Sequence, residues 1–109
     1  MSLGAADIAF ATELFSDIPK LSTRKMFGGL GIYSDGVIFA VMKSDSQLLL
    51  KAQERAFTEK LAAAGSTQWT YTRKNGAEAS MPYWSLPDAA LDEPELAVSL
   101  AREALAQLQ

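Results

Sequence analysis

The sequence predicts an α+β domain in two layers, one antiparallel sheet of about five strands with helices packed on it, in the order αβββαββα. Three observations carry that expectation. Apolar residues recur at helical spacing near both ends of the chain and once in the middle. Between those segments lie short apolar runs of strand length. The dipeptides Asp35-Gly36 and Asn75-Gly76 each sit between two such runs, where a tight hairpin turn needs residues that tolerate positive φ.

The first segment, ADIAFATELFSDIP, places Ile8, Ala11, Leu14, Phe15 and Ile18 on one helical face, widened by Phe10, and Pro19 cannot continue it. A break at PKLST follows. GLGIYS and GVIFAVMKS then join across Asp35-Gly36 in a two-residue type I′ turn, which fixes the register. Ser34 falls opposite Val37, Tyr33 opposite Ile38, Ile32 opposite Phe39, Gly31 opposite Ala40, Leu30 opposite Val41 and Gly29 opposite Met42. QLLLKA supplies a third strand.

ERAFTEKLAAAG returns to helical spacing through Phe57 and Leu61, with Gly65 placed to end the helix in a left-handed conformation. WTYTRK and AEASMPYW flank Asn75-Gly76, a turn of two residues that sets Arg73 opposite Glu78. Pro82 has no N–H to give a ladder, so the fifth strand is an edge or is bulged there. In the last segment Asp92 and Glu95 have capping-box spacing, Pro94 suits a first turn, and Leu96, Leu100, Ala101, Ala104, Leu105 and Leu108 form an apolar face. A shorter helical turn begins near Pro87. Without a linker or repeat, residues 1–109 read as a single domain.

Composition excludes much chemistry. The chain has no Cys and no His, which removes disulfides, thiolate nucleophiles, imidazole bases and zinc sites of the usual ligands. No catalytic residue, metal or cofactor is therefore expected. The carboxylates Asp88, Asp92, Glu93 and Glu95 fall at helix starts, where the helix dipole favours them. No signal peptide is apparent, and no apolar run approaches the roughly 20 residues that span a bilayer. A cytoplasmic protein without membrane attachment is expected.

The stretch RKMFGGLGIYSDG raises the functional question. It lacks both the Lys-Ser/Thr of a phosphate loop and the helix that follows a dinucleotide fingerprint, so its glycines argue packing and not phosphate chemistry. In the hairpin register, one face carries Met26, Leu30, Ile32, Phe39 and Val41 as core. The other carries Gly29, Gly31 and Ala40, rimmed by Phe27, Tyr33, Ile38 and Met42. Such a trough marks close approach, plainly by a helix of the same chain, otherwise by a partner or ligand. Met81, Tyr83 and Trp84, around the proline-broken strand, form an apolar patch able to dock a partner or a second copy, unless Trp84 only seals the sheet against the last helix.

Arg24-Lys25 and Arg73-Lys74 are the adjacent basic pairs. Gathered with Lys43 and Lys51, beside Trp69, Tyr71, Tyr83 and Trp84, they have the chemistry to hold phosphates and stack bases. The net charge of −3 argues instead for solvated strand ends and against direct nucleic-acid binding.

RKMFGGLGIYSDGVIFAVMKSDSQLLLKA, followed by WTYTRKNGAEASMPYWSLP, resembles the TfoX (Sxy) amino-terminal domain family from about Thr23 to the final helix. Arg24, Met26, Phe27, Gly28, Gly29, Gly31 and Tyr33 carry the first part of the match, and Tyr71, Arg73, Gly76, Tyr83 and Trp84 the last. The resemblance implies a two-layer domain with an antiparallel sheet, in a family whose larger members regulate competence in bacteria and carry a second domain. It implies no catalytic residues, and the chain reads as a stand-alone member.

The sequence thus leads to a small cytosolic, non-enzymatic protein-interaction module linked to transcriptional regulation, with a protein of the transcription machinery or a second copy as partner. Its candidate surface is Phe27, Gly29, Gly31, Tyr33, Met42, Met81, Tyr83 and Trp84, with Arg24, Lys25, Arg73 and Lys74 as candidate basic contacts. A small-ligand-binding protein or enzyme using the glycine-lined face is the alternative, and a direct nucleic-acid binder the weaker one.

Overall fold

The computed structural model describes residues 3–26 and 28–108. Its elements are α1 (Ala5–Leu14), β1 (Leu21–Met26), β2 (Gly29–Ser34), β3 (Val37–Met42), β4 (Leu48–Lys51), α2 (Arg55–Ala63), β5 (Gln68–Thr72), β6 (Glu78–Ser85), α3 (Asp88–Leu91) and α4 (Pro94–Gln107). The strands form one antiparallel sheet in the order β1-β2-β3-β4-β6-β5. The α+β class holds, with six strands where about five are predicted. The added strand, β1, covers most of the expected break. Its polar sequence LSTRKM is almost wholly exposed, so no apolar period announces it, and its ladder to β2 is what makes it a strand.

All four helices contribute to one buried cluster with the inner face of the sheet. Ala11, Leu14 and Phe15 from the first helix and its end, Phe57 and Leu61 from α2, Ala90 from α3 and Ala97, Leu100, Ala101 and Ala104 from α4 pack on Leu30, Ile32, Phe39, Ala40, Met42, Leu48 and Leu50. Phe15 meets Phe39 edge-on, with ring centroids 5.4 Å apart at 89°, the arrangement that the ring quadrupoles favour. Phe10, expected to widen the stripe of α1, instead stays 43% exposed.

The hairpin of β2 and β3 turns as predicted, with positive φ at both Asp35 and Gly36. Ser34 pairs with Val37 and Tyr33 with Ile38, but the ladder then slips, so that Ile32 pairs with Ala40, Gly31 with Val41 and Leu30 with Met42. Phe39 is the extra residue of this bulge. Because the bulge lets Phe39 and Ala40 both face the core, the alternation beyond it is inverted. The predicted pairing of Ile32 with Phe39 is therefore corrected, and so are the faces assigned to Ala40, Val41 and Met42.

The second hairpin also differs. Gly76 alone takes positive φ, the Gly76 N–H bonds to the Arg73 carbonyl and the Arg73 N–H to the Ala77 carbonyl. A three-residue turn of Lys74, Asn75 and Gly76 results, with Thr72 rather than Arg73 opposite Glu78. The β3–β4 turn repeats this geometry with Ser46 in the left-handed position, where the Ser46 N–H bonds to the Lys43 carbonyl and the Lys43 N–H to the Gln47 carbonyl.

Pro82 lies in an interior strand, not at an edge. Between the pairs Gln68–Trp84 and Thr70–Ser80, β6 has three residues against one of β5, so the chain bulges around Pro82. The Gln68 side-chain amide donates to the freed Met81 carbonyl at 3.0 Å. At the C-terminal end of α2, Gly65 adopts the predicted left-handed φ, and the Ser66 N–H bonds back to Leu61. The capping box expected of Asp92 and Glu95 is absent: Asp92 closes α3, and α4 starts after Glu93 with Pro94 in its first turn.

Candidate functional site

The helices cover one face of the sheet only. On the other face a second cluster forms from Val41, Leu49 and Tyr83, with Ile38, Trp69 and Met81 packed against it, and none of these residues comes from a helix. Strand alternation places Arg24, Gly31, Tyr33, Lys51, Tyr71 and Arg73 on this same open face, since each pairs with or lies two positions from a member of the set.

The glycines are explained within the sheet. A Cβ on Gly29 would run into the Met42 carbonyl oxygen of the neighbouring strand. One on Gly31 would come 2.9 Å from the Met26 methyl and 3.0 Å from the Tyr33 ring. The expected covering helix is therefore not what fills the trough. Tyr33 folds back over Gly31, and the Arg24 guanidinium lies 5.9 Å from the centre of its ring, within reach of a cation–π contact.

Beside this stack lies a cleft of about 260 Å³, lined by Met26, Gly29, Val41, Lys43, Ser44, Trp69, Met81 and Tyr83 among others. Met26 and Trp69 belong to strands at opposite edges of the sheet, so the sheet curls toward this face. The Lys43 ammonium sits 5.4 Å from the centre of the Trp69 ring and 3.7 Å from Asp45. The Trp69 and Tyr83 rings meet at 6.4 Å. Burial, with a smaller contribution from Tyr33, pushes the Tyr83 phenol above its ordinary pKa of 10.0, so it is a neutral hydroxyl at physiological pH.

Of the predicted surface, Gly29, Gly31, Tyr33, Met81 and Tyr83 share this face. Met42 does not: the inverted alternation turns it into the helix-side core at 1% exposure. Trp84 also points to the helix side, paired with Leu50 and packed on the main core, which is its sealing role. Phe27 lies outside the described residues. Of the basic pairs, Arg24 and Arg73 fall on the open face, while Lys25 pairs with Leu30 on the other side and Lys74 projects from a turn. Lys43 and Trp69, which the sequence brings in only with the basic pairs and not with the contact surface, reach the cleft through the two bulges.

Among the described residues no group of acidic side chains is placed to hold a metal ion, and no helix is long and apolar enough to cross a membrane. The fold and its face define a two-layer α+β domain with an uncovered antiparallel sheet. A family model of the TfoX N-terminal domain matches residues 13–108, from within α1 to the end of α4 and through every strand. The chain belongs to that family, which is associated with competence regulation and is not a known enzyme family. No curated protein sequence matches the chain.

Proposed function

We propose that this protein is a non-enzymatic contact module of transcriptional regulation, and that it makes its contact through the open face of the sheet. The observation that carries the reading is the second apolar cluster. Val41, Leu49 and Tyr83 are buried on a face that no helix covers, with Trp69 and Met81 half-buried at their margin. Apolar and aromatic area on such a face, rimmed by charge, is the composition of a binding surface. Family membership supports the regulatory setting.

The test compares tagged wild type with a Trp69→Ser, Arg73→Glu double variant in affinity capture from lysate, with and without nuclease. A contact module loses its captured component when the face is altered and the fold is kept, as checked by circular dichroism. A component retained after nuclease is a protein, the partner class that the sequence favours. Capture indifferent to the face would refute the reading.

A small-ligand protein is the second reading, favoured by the cleft itself. A ligand seated between Trp69, Tyr83 and Lys43 would raise the melting temperature, because it binds only the folded state.

A further inference from the structure

The carboxylates of this protein keep away from the open-face strands. The chain carries thirteen Asp and Glu against ten Lys and Arg, yet the charged residues at open-face strand positions are Arg24 and Lys51, both cations, and Lys43 and Arg73 stand one residue past the ends of β3 and β5. Among the described residues no carboxylate occupies such a position. Glu78, the acidic residue within a strand, pairs with Thr72 on the helix side, and Asp45, which touches Lys43, belongs to a turn.

Aromatic rings share the face with these cations. Tyr33 and Tyr83 stand on inner strands, Trp69 on the edge strand β5 packs toward Tyr83, and Tyr71 stands 45% exposed further along that edge. A protein partner would be met by an apolar core with charge of both signs at the rim. A face of rings interleaved with one sign of charge fits a polyanion with flat, unstacked bases.

Resting on the reading of this face as the contact surface, we infer that the uncovered sheet binds single-stranded nucleic acid, with bases stacked on Trp69 and Tyr71 and phosphates held by Lys43, Lys51, Arg24 and Arg73. The cleft is of a size to seat one base. Its volume of about 260 Å³ exceeds the roughly 150 Å³ that accommodates a benzene ring in an apolar cavity. The neutral Tyr83 hydroxyl in its wall can donate to or accept from a base edge, which suits an unpaired base and not a duplex. The acidic total keeps the helix side from attracting the same polymer. The net charge therefore understates what one face does.

The experiment uses the full chain and fluorescein-labelled single strands of about twelve nucleotides, oligouridylate and oligothymidylate, beside a DNA duplex of equal length, read by anisotropy and by tryptophan quenching. Single strands bind and quench, and the duplex binds at least about tenfold more weakly. Tyr71→Ala, whose ring is too exposed for the fold to need it, loses about tenfold, as does Trp69→Ala. With four phosphate contacts, log affinity falls against log salt with a slope of about −3, and Arg73→Ala makes it shallower by about 0.7.

Absence of binding at about 50 mM salt, equal binding of duplex and single strand, or affinity unchanged by both ring variants would overturn the inference. If the capture described above still yields a nuclease-resistant component that depends on the face, the contact-module reading survives that result. If neither occurs, both fall.

Discussion

The side chain of Gln107, at the end of α4, accepts hydrogen bonds from the backbone N–H groups of Gln53 and Glu54 at 2.7 and 2.8 Å. It thereby caps α2, whose own N-cap residue offers no side-chain bond. The other end of the same amide donates to the carbonyls of Lys51 and Ala104. One side chain thus joins the last turn of α4, the end of β4 and the start of α2. Gln107→Ala is expected to cost about 1–2 kcal/mol, the loss of a helix cap and of polar partners. Gln107→Glu is expected not to rescue it, because its carboxylate would face the two carbonyls. Urea midpoints of the three proteins check both statements.

Gly29 and Gly31 are expected to respond differently to Ala. At Gly29 the obstacle is the backbone carbonyl of Met42, which cannot yield without breaking the ladder; at Gly31 it is the ends of the Met26 and Tyr33 side chains, which can rotate. Gly31→Ala should cost about 1 kcal/mol and Gly29→Ala about 3 kcal/mol or more. Equal losses in urea denaturation would show that the β2–β3 ladder is not the constraint.

Neighbouring positions at the end of α2 should move stability in opposite directions. Gly65 has φ of +95° with nothing within 4 Å of a Cβ, so Gly65→Ala pays only backbone strain, about 1 kcal/mol. The Ser66 hydroxyl is buried and has no hydrogen-bond partner among the described residues. Ser66→Ala removes that polar burden and should be neutral or stabilising by up to about 1 kcal/mol. Thermal denaturation of the two variants gives the signs directly.

Tyr83 makes stability fall in alkali. Its phenol has a folded-state pKa above 10.0, so between the unfolded and folded values the native state holds more protons than the unfolded chain. Stability from this group is complete below the unfolded pKa and is lost as pH rises through the folded one. The urea midpoint should therefore drop above about pH 10, and Tyr83→Phe should flatten that drop. An equal alkaline drop in both proteins would assign it to other groups.

Much of the fold was legible because its signals are local. Gly65 as a helix end and Asp35-Gly36 as a turn follow from residues that take positive φ at little cost, and the stripes of Leu14, Phe57 and Leu61 follow from burial at helical period. The rest depends on partners distant in sequence. The strand Leu21–Met26 exists through its pairing with β2, and the bulge at Phe39 is a feature of the β2–β3 ladder that no local residue signal announces. That bulge decided the candidate site. Shifting the ladder by one residue moved Met42 into the core and brought Val41 to the open face, so the trough drawn from an unbroken register had the right glycines and some wrong neighbours. Trp69 came to the cleft by a second irregularity, around Pro82.

The placing of carboxylates away from the open-face strands also gives the molecule an electric dipole. An anion several Debye lengths away meets little field, since the Debye length is about 8 Å at physiological ionic strength. Nearer than that, the carboxylates away from that face and the cations on it exert a torque before any contact forms. A polyanion is turned away from one side and toward the other, so encounters are oriented as well as permitted. For a chain whose charges sum to −3, approach is governed by where the charges stand and not by their total.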